Sequence, residues 1–356
     1  MAVRLYVDAW DPSYASPLDP GEGAPVAEST AQLGVDVEVP AASWRPLAAP
    51  ADMRSPAVVL LVDGVRRVDA RIWVEEADGT LHPGLAASYA AGVVRCDLRG
   101  GLAVVAAAKV ARGLFTPSPG AVDLVTASTR YPVRRVAVAE PGQLSAAVQP
   151  QLHTLEVDVS LLARAVTEEA DDLLVIDGPL RGRSHLPRAL GYVKTHRVQY
   201  LPPALSTVVG QLRPGQRSPV FLLGTTWHRH TWDLKLPGPP GSPWAGVVRV
   251  EASADLPRGE AIALADLSAV TLPRFASLAY KDARAPQNLT PIAGLERKLR
   301  GMLGNAALLY RSLVAAAASL DRTTVDQPAV FGRPAPAGQP ARPPAVDRTA
   351  DHAATA

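Results

Sequence analysis

Runs of four or five unbroken apolar residues, bounded by turn residues, mark buried strands. Two such runs end alike: Val58-Val-Leu-Leu-Val62 leads into Asp63-Gly64, and Leu173-Leu-Val-Ile176 leads into Asp177-Gly178, with arginines close behind each. After the first run, Val68, Ala70, Ile72 and Val74 fall on one face at a period of two, which predicts a second strand over 67–76. By that alternation Asp69 points away from the core. Segments 92–98 and 101–108 predict further strands of an antiparallel meander, and 134–140 another.

From Gln151 to Ala170 the period changes. Leu152, Leu155, Val159, Leu162, Ala163 and Val166 recur at three and four, one face of a helix that runs into the second acid-ended strand. Segment 186–198 reads as helical, 219–224 with 227–236 as a hairpin, and 244–252 as a strand. Leu289, Ile292, Leu295, Leu299, Leu303, Ala306, Leu309 and Leu313 predict a single helix of about eight turns. A meander followed by a helix-to-strand crossover predicts an α/β fold, a mixed sheet flanked by helices, over 55–320. Residues 1–54 read as a β-rich N-terminal arm with strand-like pieces at 3–7 and 33–39, anchored by Tyr6, Trp10, Tyr14 and Trp44. Residues 321–356, rich in Pro and Ala without period, are expected to be a disordered tail.

Composition removes several classes. One cysteine, Cys96, leaves no internal disulfide framework and no Cys-rich zinc site, and its apolar strand makes it a core residue. No uncharged apolar run reaches the roughly 18–20 residues of a membrane span, and the N-terminus lacks the apolar stretch of a signal peptide. The expectation is a cytoplasmic protein without membrane contact. The net charge of +2 matters less than its distribution. From Gly178 to Trp232 there is no Asp or Glu, yet the segment holds eight lysines and arginines and four of the seven histidines. Such a run reads as a surface for anions, or as a basic face whose acids lie elsewhere in the fold.

Two strands that deliver Asp63 and Asp177 side by side would create repulsion that a hard divalent cation relieves, since Mg²⁺ and Mn²⁺ prefer oxygen ligands. Glu156 or Asp158 on the preceding helix, and Asp282 ahead of the last one, are the further carboxylate candidates. Converging carboxylates beside a cationic segment suit two-metal hydrolysis of a phosphodiester. Arg181, Arg183, Lys194, His196 and Arg197 would hold phosphates, while Tyr192, Tyr200, Trp227 and Trp232 could stack unpaired bases. No P-loop or Gly-x-Gly-x-x-Gly turn is present. His228-Arg-His230 lacks a second ligand cluster and reads as structural or nucleic-acid-contacting.

In this order and spacing, Val62-Asp63-Gly64, Ile176-Asp177-Gly178-Pro179-Leu180, Tyr192-Val193-Lys194-Thr195-His196-Arg197 and the Pro286 turn before the final helix resemble the NurA family of nucleases. The likeness covers roughly residues 55–318. It implies an RNase H-like core and a Mn²⁺-dependent (or Mg²⁺-dependent) DNA nuclease, a 5′–3′ exonuclease and single-strand endonuclease. It also implies a homodimer working at DNA ends with a HerA-like hexameric ATPase. The chain departs from the family in having Gly178-Pro179 for Gly-Ser, and Ala293-Gly294-Leu295-Glu296 around the position of a metal-site histidine. Asp282 or Glu296 are the available substitutes. Two other readings are a scaffold or nucleic-acid-binding subunit that has lost its metal shell, and a phosphotransferase or phosphatase with strand-borne Asp.

Overall fold

The computed structural model describes residues 31–137, 142–166, 171–196, 198–239, 241–242 and 244–325. The strand-like piece at 3–7, most of the expected tail and Arg197 lie outside them. Among the described residues, those up to Ala316 form one unit and those from Ala317 a second.

The meander is built from three long strands, β1 (Val58–Glu75), β2 (Leu81–Asp97) and β3 (Leu102–Thr116), antiparallel in turn. Helix α1 (Val148–Val166) crosses to β4 (Asp172–Asp177), which lies parallel to β1, and β5 (Ala189–Val193) lies parallel to β4. After a short α2 (Pro203–Gly210), the hairpin β6 (Phe221–Gly224) and β7 (His228–Lys235) leads to β8 (Val247–Ser253), antiparallel to β5. Helices α3 (Arg258–Thr271), α4 (Thr290–Met302) and α5 (Ala306–Val325) follow. Among the described residues this makes one large mixed sheet in the order β6-β7-β8-β5-β4-β1-β2-β3, flanked by helices. A short strand, Gln32–Gly34, pairs with β6 at the edge.

Parity along β1 and β4 assigns the faces. Leu60, Val62, Leu174 and Ile176 pack with Leu152, Leu155 and Val159 of α1. Val59, Leu61, Leu173 and Val175 pack with Ile292, Leu295 and Leu299 of α4. Odd-numbered residues of both strands therefore turn toward α4.

Several elements depart from the sequence reading. The Asp63-Gly64 pair does not end a strand; β1 runs through it to Glu75, and the two strands expected there are one. A Cβ on Gly64 would lie 2.6 Å from Glu156 Oε1 and 2.8 Å from Leu152 Cδ1, so this glycine serves the close approach of α1 rather than a turn. Gly178 differs: its φ of +112° suits the turn that ends β4. Asp69 is buried, because a bulge between Val68 and Ala70 breaks the alternation. Its carboxylate accepts hydrogen bonds from Ser88, from Tyr131 Oη at 3.0 Å and from Arg67 Nε at 2.9 Å.

Segment 186–198 contains β5, not a helix; every residue of β5 is buried, so no alternation marks it. Helix α3 has no counterpart in the expected elements. The long final helix is two: Gly304 (φ +83°) closes α4, Asn305 Oδ1 accepts from Leu308 N at 3.1 Å, and Arg67 Nη1 meets the Gly304 carbonyl at 2.8 Å. The stretch Thr290–Leu320 is apolar enough to cross a membrane by composition, but in α4 that apolar face is the one buried on the sheet.

Candidate active site where two parallel strands part

The last ladder pair between β1 and β4 joins Val62 to Ile176. Asp63 and Asp177 are the next rung, neighbours on the face toward α4. Asp63 is buried and Asp177 partly so. Burial, then Asp177 and, least, Glu296 push the Asp63 carboxyl up to about 8; Lys194 and the Gly64 N–H, 2.7 Å from Asp63 Oδ1, pull the other way.

Lys194, just past β5, donates from Nζ to Asp177 Oδ2 at 2.6 Å and to Asn288 Oδ1 at 2.8 Å. Asn288 Nδ2 donates in turn to Asp282 Oδ2 at 2.6 Å, and Arg284 N to Asp282 Oδ1 at 2.8 Å. Glu296, on the first half of α4, accepts from Arg284 at 2.9 Å and Arg300 at 2.6 Å. Burial raises its carboxyl, but Arg300 and Arg284 more than offset that and hold it below the ordinary value. Asp177, Asp282 and Glu296 are thus linked through Lys194, Asn288 and Arg284, while Asp63 senses Asp177 and Lys194 through charge alone. A cleft of about 520 Å³ at the Asp282 and Glu296 end of this network is lined also by Lys281, Arg284, Arg297 and Arg300; Asp63 and Asp177 do not line it.

Glu156 is elsewhere. It lies on the α1 side of the sheet against Gly64, ion-paired with Arg183 inside the protein. Asp158 is half exposed, 3.8 Å from Lys109. Neither joins the Asp63–Asp177 face.

The acid-free segment divides in two. Arg183, Arg217 and Arg229 are buried against Glu156, Glu38 with Asp266, and Glu251, so their acids do lie elsewhere in the fold. Arg181 is exposed. His196, expected among the phosphate contacts, is buried instead, its ring 5.1 Å from that of Trp244 and Nε2 3.2 Å from the Val247 carbonyl. Burial and then Arg249 pull its pKa down to about 3, so it carries no charge to offer a phosphate. Tyr192 and Trp232 are core residues, bonded to the Gln287 carbonyl at 2.6 Å and Ser268 Oγ at 3.0 Å; Tyr200 and Trp227 remain partly exposed. Cys96 is buried as expected, its thiol pushed up to about 11. Asn288 and Arg249 were missed by sequence reasoning, since neither residue type carries a spacing signal.

His196 supplies a pH test. Its folded pKa lies below the unfolded value, so its contribution to stability is present above about 6.5 and is lost as pH falls toward 3. Between pH 7 and 5 that loss is about 2 kcal/mol. The variant His196→Gln is expected to lose less stability than the wild type across this interval in urea unfolding; equal slopes would contradict the neutral buried ring.

Neither a comparison with protein-family models nor one with curated proteins finds a match for this chain.

Proposed function

We propose that this chain is a metal-dependent nuclease with an RNase H-like core, cutting DNA phosphodiesters at the Asp63–Asp177 rung. The observation that carries the reading is the adjacency of these two carboxylates on neighbouring parallel strands, in a setting that drives Asp63 toward its protonated form. The strand order β3-β2-β1-β4-β5, with β2 alone antiparallel to the other four, suits such a core.

Asp63 and Asp177 offer a hard divalent ion two crowded carboxylates, one of them held neutral by its surroundings, although no group of three metal-ligating side chains gathers among the described residues. Asp63 and Asp177 would hold Mn²⁺ or Mg²⁺, with Asp282 or Glu296 as the further oxygen donor. When bound, such an ion supplies Lewis acidity toward a phosphoryl oxygen and a more acidic water. The protein's own groups do the rest. Lys194 fixes the Asp177 carboxylate and places a cation where negative charge gathers, and Arg284 and Arg300 keep Glu296 ionised. Lys281 and Arg297 offer cations to the flanking phosphates. A homodimer and a hexameric ATPase partner belong to the same reading.

The test is degradation of labelled single-stranded and end-resected duplex DNA with Mn²⁺ and with EDTA. Activity dependent on Mn²⁺ and lost in Asp177→Ala supports the reading; activity unchanged in Asp177→Ala overturns it.

One observation favours the scaffold alternative. The Lys194 ammonium already neutralises Asp177, the role a metal would otherwise fill. Calorimetric titration with Mn²⁺ separates the two, because a scaffold would bind none.

A further inference from the structure

A cavity of about 460 Å³ opens at the carboxyl ends of β4 and β5, where α/β sheets commonly take ligands. Asp177 and Lys194 stand at its edge with Gly178, Pro179 and Thr195, and Tyr200 and Arg249 complete the wall. A Cβ on Gly178 would meet nothing within 4 Å, so the space above this turn is open.

Arg249 is the unusual member. It is about nine-tenths buried, and its Nε finds no hydrogen-bond acceptor among the described residues. Glu251, its ion-pair neighbour at 3.5 Å, is committed elsewhere: Oε1 accepts from Arg229 Nε at 2.8 Å and Oε2 from Leu180 N at 3.0 Å. Asp233 stands opposite Arg249 in the β7–β8 ladder, and burial pushes its carboxyl up to about 6 against the pull of Arg249. The guanidinium carbon lies 5.0 Å from the Tyr200 ring centre, and both side chains line the cavity. A largely buried guanidinium that lines the cavity, its Nε without a hydrogen-bond acceptor and only 3.5 Å from an already committed Glu251, suits a phosphate, whose oxygens match its fork.

We propose that this cavity binds a phosphomonoester, the terminal phosphate of a nucleotide, with Arg249 as its ligand and Tyr200 as a wall for the nucleoside. This rests on the nuclease reading for its substrate. It deepens that reading by making the preferred substrate a strand end seated beside Asp177, with the bond to be cut over the acid pair. The phosphate could belong to a strand end or to a released mononucleotide, and the two are tested separately.

The experiment is metal-free binding in EDTA. Thymidine 5′- and 3′-monophosphate, thymidine, and short oligonucleotides with and without a terminal phosphate are titrated against the wild type and Arg249→Gln. Either monophosphate is expected to bind where thymidine does not, and Arg249→Gln to weaken it about 10- to 100-fold. Arg249→Lys, which keeps the charge without the fork, should fall between. Phosphorylated oligonucleotides binding more tightly than their hydroxyl-ended forms point to the strand end. Monophosphate binding without that preference points to the released nucleotide. The proposal falls if the wild type does not distinguish monophosphate from thymidine, a result that needs no folded variant. It also falls if Arg249→Gln binds like the wild type. Monophosphate binding without any Mn²⁺-dependent hydrolysis would remove the nuclease reading and leave the subsite; hydrolysis without monophosphate binding would do the reverse.

Discussion

Asparagine in place of Asp63 is expected to abolish metal-dependent hydrolysis and, in the absence of metal, to make the protein harder to unfold. The two effects have one cause. Asp63 is buried beside Asp177, and its carboxyl is pushed up to about 8. With the folded pKa above the unfolded one, its contribution to stability is full below about 4 and is lost as pH rises through about 8. At neutral pH the metal-free fold therefore carries a cost on the order of 2–4 kcal/mol. An amide of the same shape has no charge to desolvate and removes it. The amide is also a poor ligand for a hard cation, so activity should fall by about 100- to 1000-fold or more. Thermal unfolding in EDTA at pH 5 and pH 8 reads the first effect: the gain over wild type should be larger at pH 8. A metal-free Asp63→Asn protein less stable than wild type at pH 8 would contradict the crowding on which the site rests.

That crowding was partly legible in the chain. Two apolar runs ending in Asp-Gly locate β1 and β4, because buried parallel strands are written as continuous apolar stretches. The period of two on each strand then carries Asp63 and Asp177 to one face. What the runs do not encode is the different work of the two glycines, one admitting α1 and the other turning the chain. Glu156 illustrates the limit. Spacing left it and Asp158 as alternatives; in the fold Glu156 is the buried one, but on α1 that means the opposite side of the sheet from Asp63. Asn288 and Arg249 could not be found from spacing, since their importance comes from strands and loops that meet only in the fold. The acid-free run was informative in a way its composition could not resolve. Burial sorts its cations into those tied to distant acids and those facing the site, and burial is a property of topology.

Methionine in place of Arg217 is expected to cost about 3–5 kcal/mol of stability in urea unfolding, because it strands two carboxylates rather than one. The guanidinium is almost wholly buried. Its Nη1 and Nη2 meet Glu38 at 2.7 and 2.8 Å, while Nε and Nη2 meet Asp266 Oδ1 at 2.9 and 2.6 Å. Glu38 belongs to the segment ahead of β1, and Asp266 to α3, so one side chain ties the two together. Glu38 Oε2 also accepts from Val220 N at 2.7 Å, which fixes the entry to β6. Removing the cation leaves these largely buried carboxylates without their counter-charge. The triple change Glu38→Gln, Arg217→Met and Asp266→Asn removes the stranded charges as well and should recover most of the loss, as neutral replacements of buried ion networks do. If the single substitution costs less than about 1 kcal/mol, the triad behaves as a solvent-screened surface pair and Glu38 does not hold its segment to α3. Equal losses in the single and triple variants would instead assign the stability to the hydrogen-bond geometry of the triad, not to its charge balance.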